Sequence, residues 1–119
     1  PAYATSKAAL KSLTREMASD LAHEGIRVNA IAPGEIETSM VTANSKKLLT
    51  EKIPMKRFGE RHELENLASY LMSDGSAYIN GEVVTIDGGE WIAGASEFSE
   101  LTKLPDSMWK AMAERRKKK

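Results

Sequence analysis

The sequence predicts an α/β chain that supplies the C-terminal half of a parallel-sheet domain. A long amphipathic helical pattern runs through a glycine turn into a short apolar strand at 26–32. A second, β-branched strand stands at 83–87, and the residues between the two read as helix and loop. The helix, glycine turn and short strand read as half of a right-handed α/β crossover, and strands linked by crossovers of a dozen or more residues pair in parallel. A parallel pair alone leaves open edges and an uncovered apolar face, so it reads as part of a larger sheet.

Each element has a local reason. Pro1 suits the first turn of a helix, where its missing N–H costs nothing. Leu10, Leu13, Met17 and Leu21 then recur at helical spacing, with Lys11, Arg15, Glu16 and Asp20 off that stripe. His23-Glu24-Gly25 ends the run, with Gly25 as a left-handed cap. Pro33-Gly34 stops the first strand. From 38 to 51 the pattern is weakly helical and polar; its apolar minority is Met40, Val41, Leu48 and Leu49. Those four suit either the lining of an apolar pocket or the buried stripe of two small helices. A helix over 63–72 aligns Leu64, Leu67, Ala68 and Leu71 on one face and breaks at Ser73-Asp74-Gly75. Asn29, in the first strand, is expected to make structural hydrogen bonds, and Asp87-Gly88-Gly89 to form a turn. A last helix over 106–116, with Asp106 as N-cap, is expected to turn Met108, Trp109 and Met112 inward.

Composition bounds the function. A chain of 119 residues has room for one modest core, and 41% apolar with 29% charged residues is ordinary for a globular protein. Basic and acidic residues balance at 17 each, so no global field argues for nucleic acid. The charge is uneven, however. Residues 110–119 carry six cations and one anion, a net +5, against −5 over 1–109. The basic end most simply complements a helix C-terminus and then stays solvated. There is no cysteine, so disulfides, thiol nucleophiles and Cys-based metal sites are excluded. His23 and His62 have no partner at metal-ligand spacing, and no metal is expected. No apolar run approaches the ~20 residues that span a bilayer, and no signal peptide opens the chain, so a cytoplasmic protein without membrane contact is expected. The abrupt start at Pro1 suggests the middle of a longer polypeptide.

Two motifs carry chemistry. Tyr3 and Lys7, in Tyr-Ala-Thr-Ser-Lys, stand four apart at the head of the first helix, so both side chains project from one face. A phenol with an unperturbed pKa near 10 is a poor proton shuttle at neutral pH. A fixed ammonium one turn away favours the phenolate and makes a usable acid/base. The spacing alone equally suits two partly exposed helix residues. Pro33-Gly34-Glu35-Ile36-Glu37-Thr38 follows a strand's carboxyl end, where open α/β sheets bind ligands, and Gly34 permits close backbone approach. An isolated Pro-Gly would equally be a plain loop terminator.

In order, Tyr3-Ala4-Thr5-Ser6-Lys7, the run from Gly25 to Gly34, Ile36, Thr38, Ile53-Pro54, Arg57, Gly59, Ser73-Asp74, Tyr78-Ile79-Asn80-Gly81 and Val84-Thr85-Ile86-Asp87-Gly88-Gly89 resemble the short-chain dehydrogenase/reductase family. The likeness is nearly continuous over residues 1–89. It implies the C-terminal half of a Rossmann-type, doubly wound parallel sheet: catalytic helix, strand and nicotinamide loop over 1–38, substrate lid over 39–54, helix and last strand over 55–89, and a C-terminal extension with a basic tail over 90–119. It also implies an NAD(P)-dependent oxidoreductase that moves hydride between nicotinamide and an alcohol/carbonyl substrate, with NAD or NADP as cofactor. In that reading Tyr3 and Lys7 are catalytic and both also contact the cofactor: Tyr3 is the acid/base, and Lys7 holds the nicotinamide ribose and keeps Tyr3 near the phenolate state. Pro33 and Gly34 shape the cofactor loop, the Ile36 backbone addresses the carboxamide, and the Thr38 hydroxyl reaches the carboxamide or pyrophosphate. Ser6 is not the family's catalytic Ser. That Ser, the catalytic Asn and the Gly-rich phosphate turn all precede Tyr3 in the family and are not in this sequence. The resemblance implies a homotetramer. Trp91, Glu97-Phe98, Leu101 and Trp109, with residues 57–89, are similar to the 2,4-dienoyl-CoA reductase branch. That branch usually lacks the Tyr of this motif, so Tyr3 favours the alcohol/carbonyl reductase and leaves the dienoyl reductase as the alternative. A different alternative is a catalytically inactive interaction fragment that docks on a partner through its sheet edge and basic tail.

Overall fold

The computed structural model describes residues 1–39, 41–93 and 104–117. In chain order they form α1 (Ala2–Leu21), a 3-10 turn at Ala22–Glu24, β1 (Ala30–Pro33), α2 (Ala43–Thr50), α3 (Arg61–Met72), a 3-10 turn at Asp74–Ser76, β2 (Val83–Ile86), α4 (Glu90–Ala93) and α5 (Asp106–Lys117). β1 and β2 pair in parallel, with Ala30 opposite Val83 and Pro33 opposite Ile86. α2 and α3 lie on the connection between them, as a parallel pair requires.

The first strand is shorter than the 26–32 expected from its apolar run. Over 26–29 a side-chain bond and isolated backbone bonds stand in place of a ladder: Val28 N–H donates to Asn80 Oδ1 at 2.8 Å, and Gly81 N–H donates to the Val28 carbonyl at 2.8 Å. Asn29 makes the structural hydrogen bonds expected of it, donating to the Ile79 carbonyl at 2.9 Å and accepting from Glu82 N–H at 3.0 Å. Arg27 donates to the carbonyls of Leu71, Ser73 and Ile79, closing the end of α3 onto the same segment. Asn80 Nδ2 donates to the Ala18 carbonyl at 2.9 Å, which fastens α1 to this cluster.

The face that α1 presents is not the one its periodicity suggests. Thr14 and Ala18 are its buried residues, whereas Leu10, Leu13 and Met17 are 40 to 52% exposed. A short side chain at 18 lets the helix lie against the turn at Asn80-Gly81, and the bulky stripe is left facing outward. α3 behaves as expected, with Leu64, Leu67, Ala68 and Leu71 its partly buried apolar residues. It starts two residues earlier than predicted because Glu60 and Glu63 form a reciprocal capping box. The expected inward packing of α5 is corrected: Met108, Trp109 and Met112 are 42 to 49% exposed. A helical period identifies a common face but not what covers it. The same caution applies to the segment 38–51, where Leu48 of α2 is exposed, Val41 before it and Leu49 within it are partly buried, and Met40 lies outside the described residues.

The most buried apolar residues are Ile53, Phe58 and Ala18. Ile53 sits on the turn after β2, where a Cβ on Gly88 would fall 2.8 Å from its Cγ2. Gly88 also has a φ of +63°, so both shape and backbone conformation demand glycine there. Met55 N–H donates to the Gly88 carbonyl at 3.2 Å and locks the contact. No described helix is long and apolar enough to cross a membrane.

At the head of α3, Arg57 grips Glu63 through two 2.7 Å hydrogen bonds, and Glu63 Oε2 also accepts Glu60 N–H at 2.8 Å. These bonds, the Arg57 pair foremost, hold the Glu63 carboxyl at a pKa of about 2 instead of 4.5. A depressed carboxyl contributes stability above its unfolded value, and that contribution disappears as pH falls from about 4.5 through 2. In the folded full-length protein the Glu63 side-chain carboxyl is therefore expected to titrate near 2 by NMR, and Arg57→Met to move that midpoint up toward 4.5. A wild-type midpoint near 4.5 would contradict the pairing.

Candidate active site

Four segments converge on the carboxyl ends of β1 and β2: the outer face of α1, the loop after β1, the segment 53–60 and the turn after β2. α1 carries Tyr3, Lys7 and Lys11 at successive four-residue steps. Lys7 Nζ lies 5.4 Å from the centroid of the Tyr3 ring, so the two groups are in contact on one face of the helix. Tyr3 is 76% exposed. Between them, Ser6 spends its hydroxyl on the Tyr3 carbonyl at 2.7 Å.

The loop after β1 is strongly held. Gly34 N–H continues the ladder by donating to the Ile86 carbonyl at 3.0 Å. A Cβ on Gly34 would lie 2.7 Å from Asp87 Cβ and 2.9 Å from Asp87 Cα, so the missing side chain is needed by this chain's own backbone. The close backbone approach expected at Gly34 is thus made by Asp87. Ile36 forms a parallel bridge with Gly59: Gly59 N–H donates to the Glu35 carbonyl at 2.9 Å, and Glu37 N–H donates to the Gly59 carbonyl at 2.8 Å. On the outer side Glu37 is paired with Lys46 of α2, whose ammonium lies 5.9 Å from the Phe58 ring centroid. Thr38 is exposed at the end of this loop, and its carbonyl accepts Val41 N–H at 3.1 Å.

Asp87 forms the expected turn and adds a cap. Its two carboxylate oxygens accept the N–H groups of Gly89 and Trp91, both at 2.8 Å, and so start α4. An open cleft of about 750 Å³ lies beside these strand ends, lined by Lys11, Pro33, Gly34, Asp87, Glu90 and Trp91 among others. Lys11 Nζ stands 5.9 Å from the Trp91 ring centroid across it. Of the residues singled out in the sequence, Pro33 and Gly34 line this cleft; Tyr3 and Lys7 meet each other on α1 without lining it, and Ile36 and Thr38 belong to the adjoining loop. Lys11, Glu90 and Trp91 had not been singled out for the cleft. Lys11 was legible as the next four-residue step after Lys7, while Glu90 and Trp91 reach the cleft only through the cap that Asp87 makes. His23 and His62 are exposed beside Glu24 and Glu60, and among the described residues no group of three or more His, Asp or Glu could hold a metal ion.

A family model described as enoyl-(acyl carrier protein) reductase matches residues 1–90. Among curated proteins, the chain is 51% identical over 89 residues to protein FixR of Bradyrhizobium diazoefficiens, spanning 75% of this chain and 32% of that protein. It is 42% identical over 90 residues to the 3-oxoacyl-[acyl-carrier-protein] reductase FabG of Thermotoga maritima, spanning 73% of this chain and 37% of that one. The chain thus spans about a third of the length of these relatives. A solved structure of a short chain dehydrogenase family protein from Francisella tularensis superposes with a TM-score of 0.71 at 30% identity, covering 76% of this chain and 43% of the other. The matched span carries the whole convergence around the two strand ends, from the head of α1 to the start of α4. The chain belongs to the short-chain dehydrogenase/reductase family.

Proposed function

We propose that this chain is the catalytic C-terminal part of an NAD(P)-dependent oxidoreductase that interconverts a carbonyl and an alcohol. The observation that carries the reading is Lys7 Nζ against the Tyr3 ring, on a helix that borders the strand ends. NADH or NADPH, when bound, supplies the hydride to the carbonyl carbon, and the protein's task is position and proton. Tyr3 gives its hydroxyl proton to the carbonyl oxygen as the alcohol forms, and takes it back in the reverse direction. The Lys7 ammonium stabilises the negative charge left on the Tyr3 oxygen and donates to the nicotinamide ribose. The residues present fit the nicotinamide side of the cofactor. In the register of the Ile36–Gly59 bridge, the bonds run through Glu35 and Glu37, so the N–H and carbonyl of Ile36 itself point away from Gly59. Ile36 N–H is thereby available to a carboxamide, and the exposed Thr38 follows two residues further along the loop. The eight glycines of the sequence contain no phosphate-binding fingerprint, so the other half of a dinucleotide needs residues outside these 119.

The relatives named FabG act on 3-oxoacyl groups carried by a protein, which supports a carbonyl substrate over the dienoyl-CoA alternative. The exposed stripe of Leu10, Leu13 and Met17 supports a helix covered by the remainder of the domain and by other copies in a homo-oligomer, tetrameric as the resemblance implies.

Replacing Tyr3 by Phe in the full-length protein is expected to lower turnover by about 10²–10⁴-fold, with little change in cofactor affinity. Near wild-type turnover would remove Tyr3 from the mechanism. Thermal melting separates this reading from an inactive docking fragment. The full-length protein is expected to melt higher in saturating NADH or NADPH, with about 2.7 kcal/mol of stabilisation at a hundred times Kd. Residues 1–119 by themselves are expected not to respond; a full-length protein indifferent to both dinucleotides would favour the docking fragment.

A further inference from the structure

Ile36 does not hold its position through its own strand. The residues that fix it stand more than twenty positions downstream, and their linkage can be followed bond by bond. Arg57 donates Nη1 and Nη2 to the two carboxylate oxygens of Glu63, and Nη1 also donates to the Phe58 carbonyl at 3.1 Å. Glu63 is itself fixed, because it is the third residue of α3 and accepts Glu60 N–H. The guanidinium therefore pins the peptide between Phe58 and Gly59 to the rigid start of a helix. That peptide runs into the bridge, where Gly59 holds Glu35 and Glu37 on either side of Ile36. The contact is close: a Cβ on Gly59 would lie 2.7 Å from Ile36 Cδ1. Burial of Phe58 between these bonds removes the remaining freedom of the segment.

We propose that Arg57 and Glu63 are positioning residues for the cofactor loop: they hold Gly59, and through it aim the Ile36 N–H at the nicotinamide. The inference rests on the reading of Ile36 as a nicotinamide contact. A bidentate guanidinium–carboxylate pair suits the task, since its planar fork fixes direction as well as distance. A lysine at 57 keeps the charge but only one arm of the fork.

The effect is local to one end of the cofactor, which makes it separable from a general loss of structure. In the full-length protein, Arg57→Met is expected to weaken binding of NADH or NADPH, whichever the wild type takes, by about tenfold, the loss of one well-placed hydrogen bond to a charged or polar group. Binding of ADP-ribose, or its 2′-phosphate for an NADPH enzyme, is expected to stay unchanged because that probe has no nicotinamide. Glu63→Gln, which keeps an oxygen for Glu60 N–H, is expected to show the same selective loss, and Arg57→Lys an intermediate one. Equal weakening of dinucleotide and ADP-ribose would make the pair a general support of the fold and overturn the inference. Unaltered dinucleotide binding in both Arg57→Met and Glu63→Gln would also overturn it. A wild-type protein that binds neither probe would instead sink the cofactor reading on which the inference stands.

Discussion

The arrangement at the strand ends depends on close approach at two glycines, one to Asp87 Cα and Cβ and the other to the tip of the Ile36 side chain. Gly34 lies against Asp87, and Gly59 lies against Ile36; at both places a single added carbon would come within 3 Å of a neighbouring atom. Removing the side chains lets the loop after β1 pair with the segment before α3 while β1 still pairs with β2. The hydrogen bonds that result are then individually modest, at about 1 kcal/mol each, but they act on a common short loop and restrict it together. Direction is what they supply. The register decides which way each N–H of the loop points.

Polar groups perform a comparable service at the other end of the strands. Arg27, Asn29 and Asn80 connect α1, the lead into β1, the end of α3 and the turn before β2. Among the described residues no buried side-chain nitrogen or oxygen lacks a partner, so the network carries no uncompensated desolvation. Apolar burial, by contrast, is thin. Among the described residues the buried apolar ones are an alanine, an isoleucine and a phenylalanine, and the widest apolar stripe of α1 is uncovered. The two strands and their crossover are therefore organised by specific hydrogen bonds, while the area that would supply most of the hydrophobic stabilisation is still facing outward.

Local signals in the chain were read correctly where they act over a few residues. The stop at Gly25, the strand ended by Pro33-Gly34, the apolar face of α3 and the turn at Asp87-Gly88-Gly89 all depend on neighbours within one or two turns. Periodicity fails where the packing depends on a distant surface. Leu10, Leu13 and Met17 are a valid helical stripe, yet Thr14 and Ala18 make the contact, because a small residue was needed beside Asn80 and Gly81. Met108, Trp109 and Met112 share a helix, but nothing in their spacing says what layer would cover them. Arg57 and Glu63 were present as separate residues, and their pairing became visible only when the loop and the head of α3 were brought together.

What the sequence determined by itself was the order of elements, the parallel pairing and the shared helix face of Tyr3 and Lys7, since periodicity, glycine turns and four-residue spacing are properties of adjacent residues. Tertiary structure alone decided that Gly34 serves Asp87, that Ile36 is aimed by a bridge to Gly59, and that Arg57 fastens this bridge to α3. These are contacts between segments tens of residues apart, or between backbones whose approach no side-chain pattern encodes. They exist only once the crossover has returned β2 alongside β1.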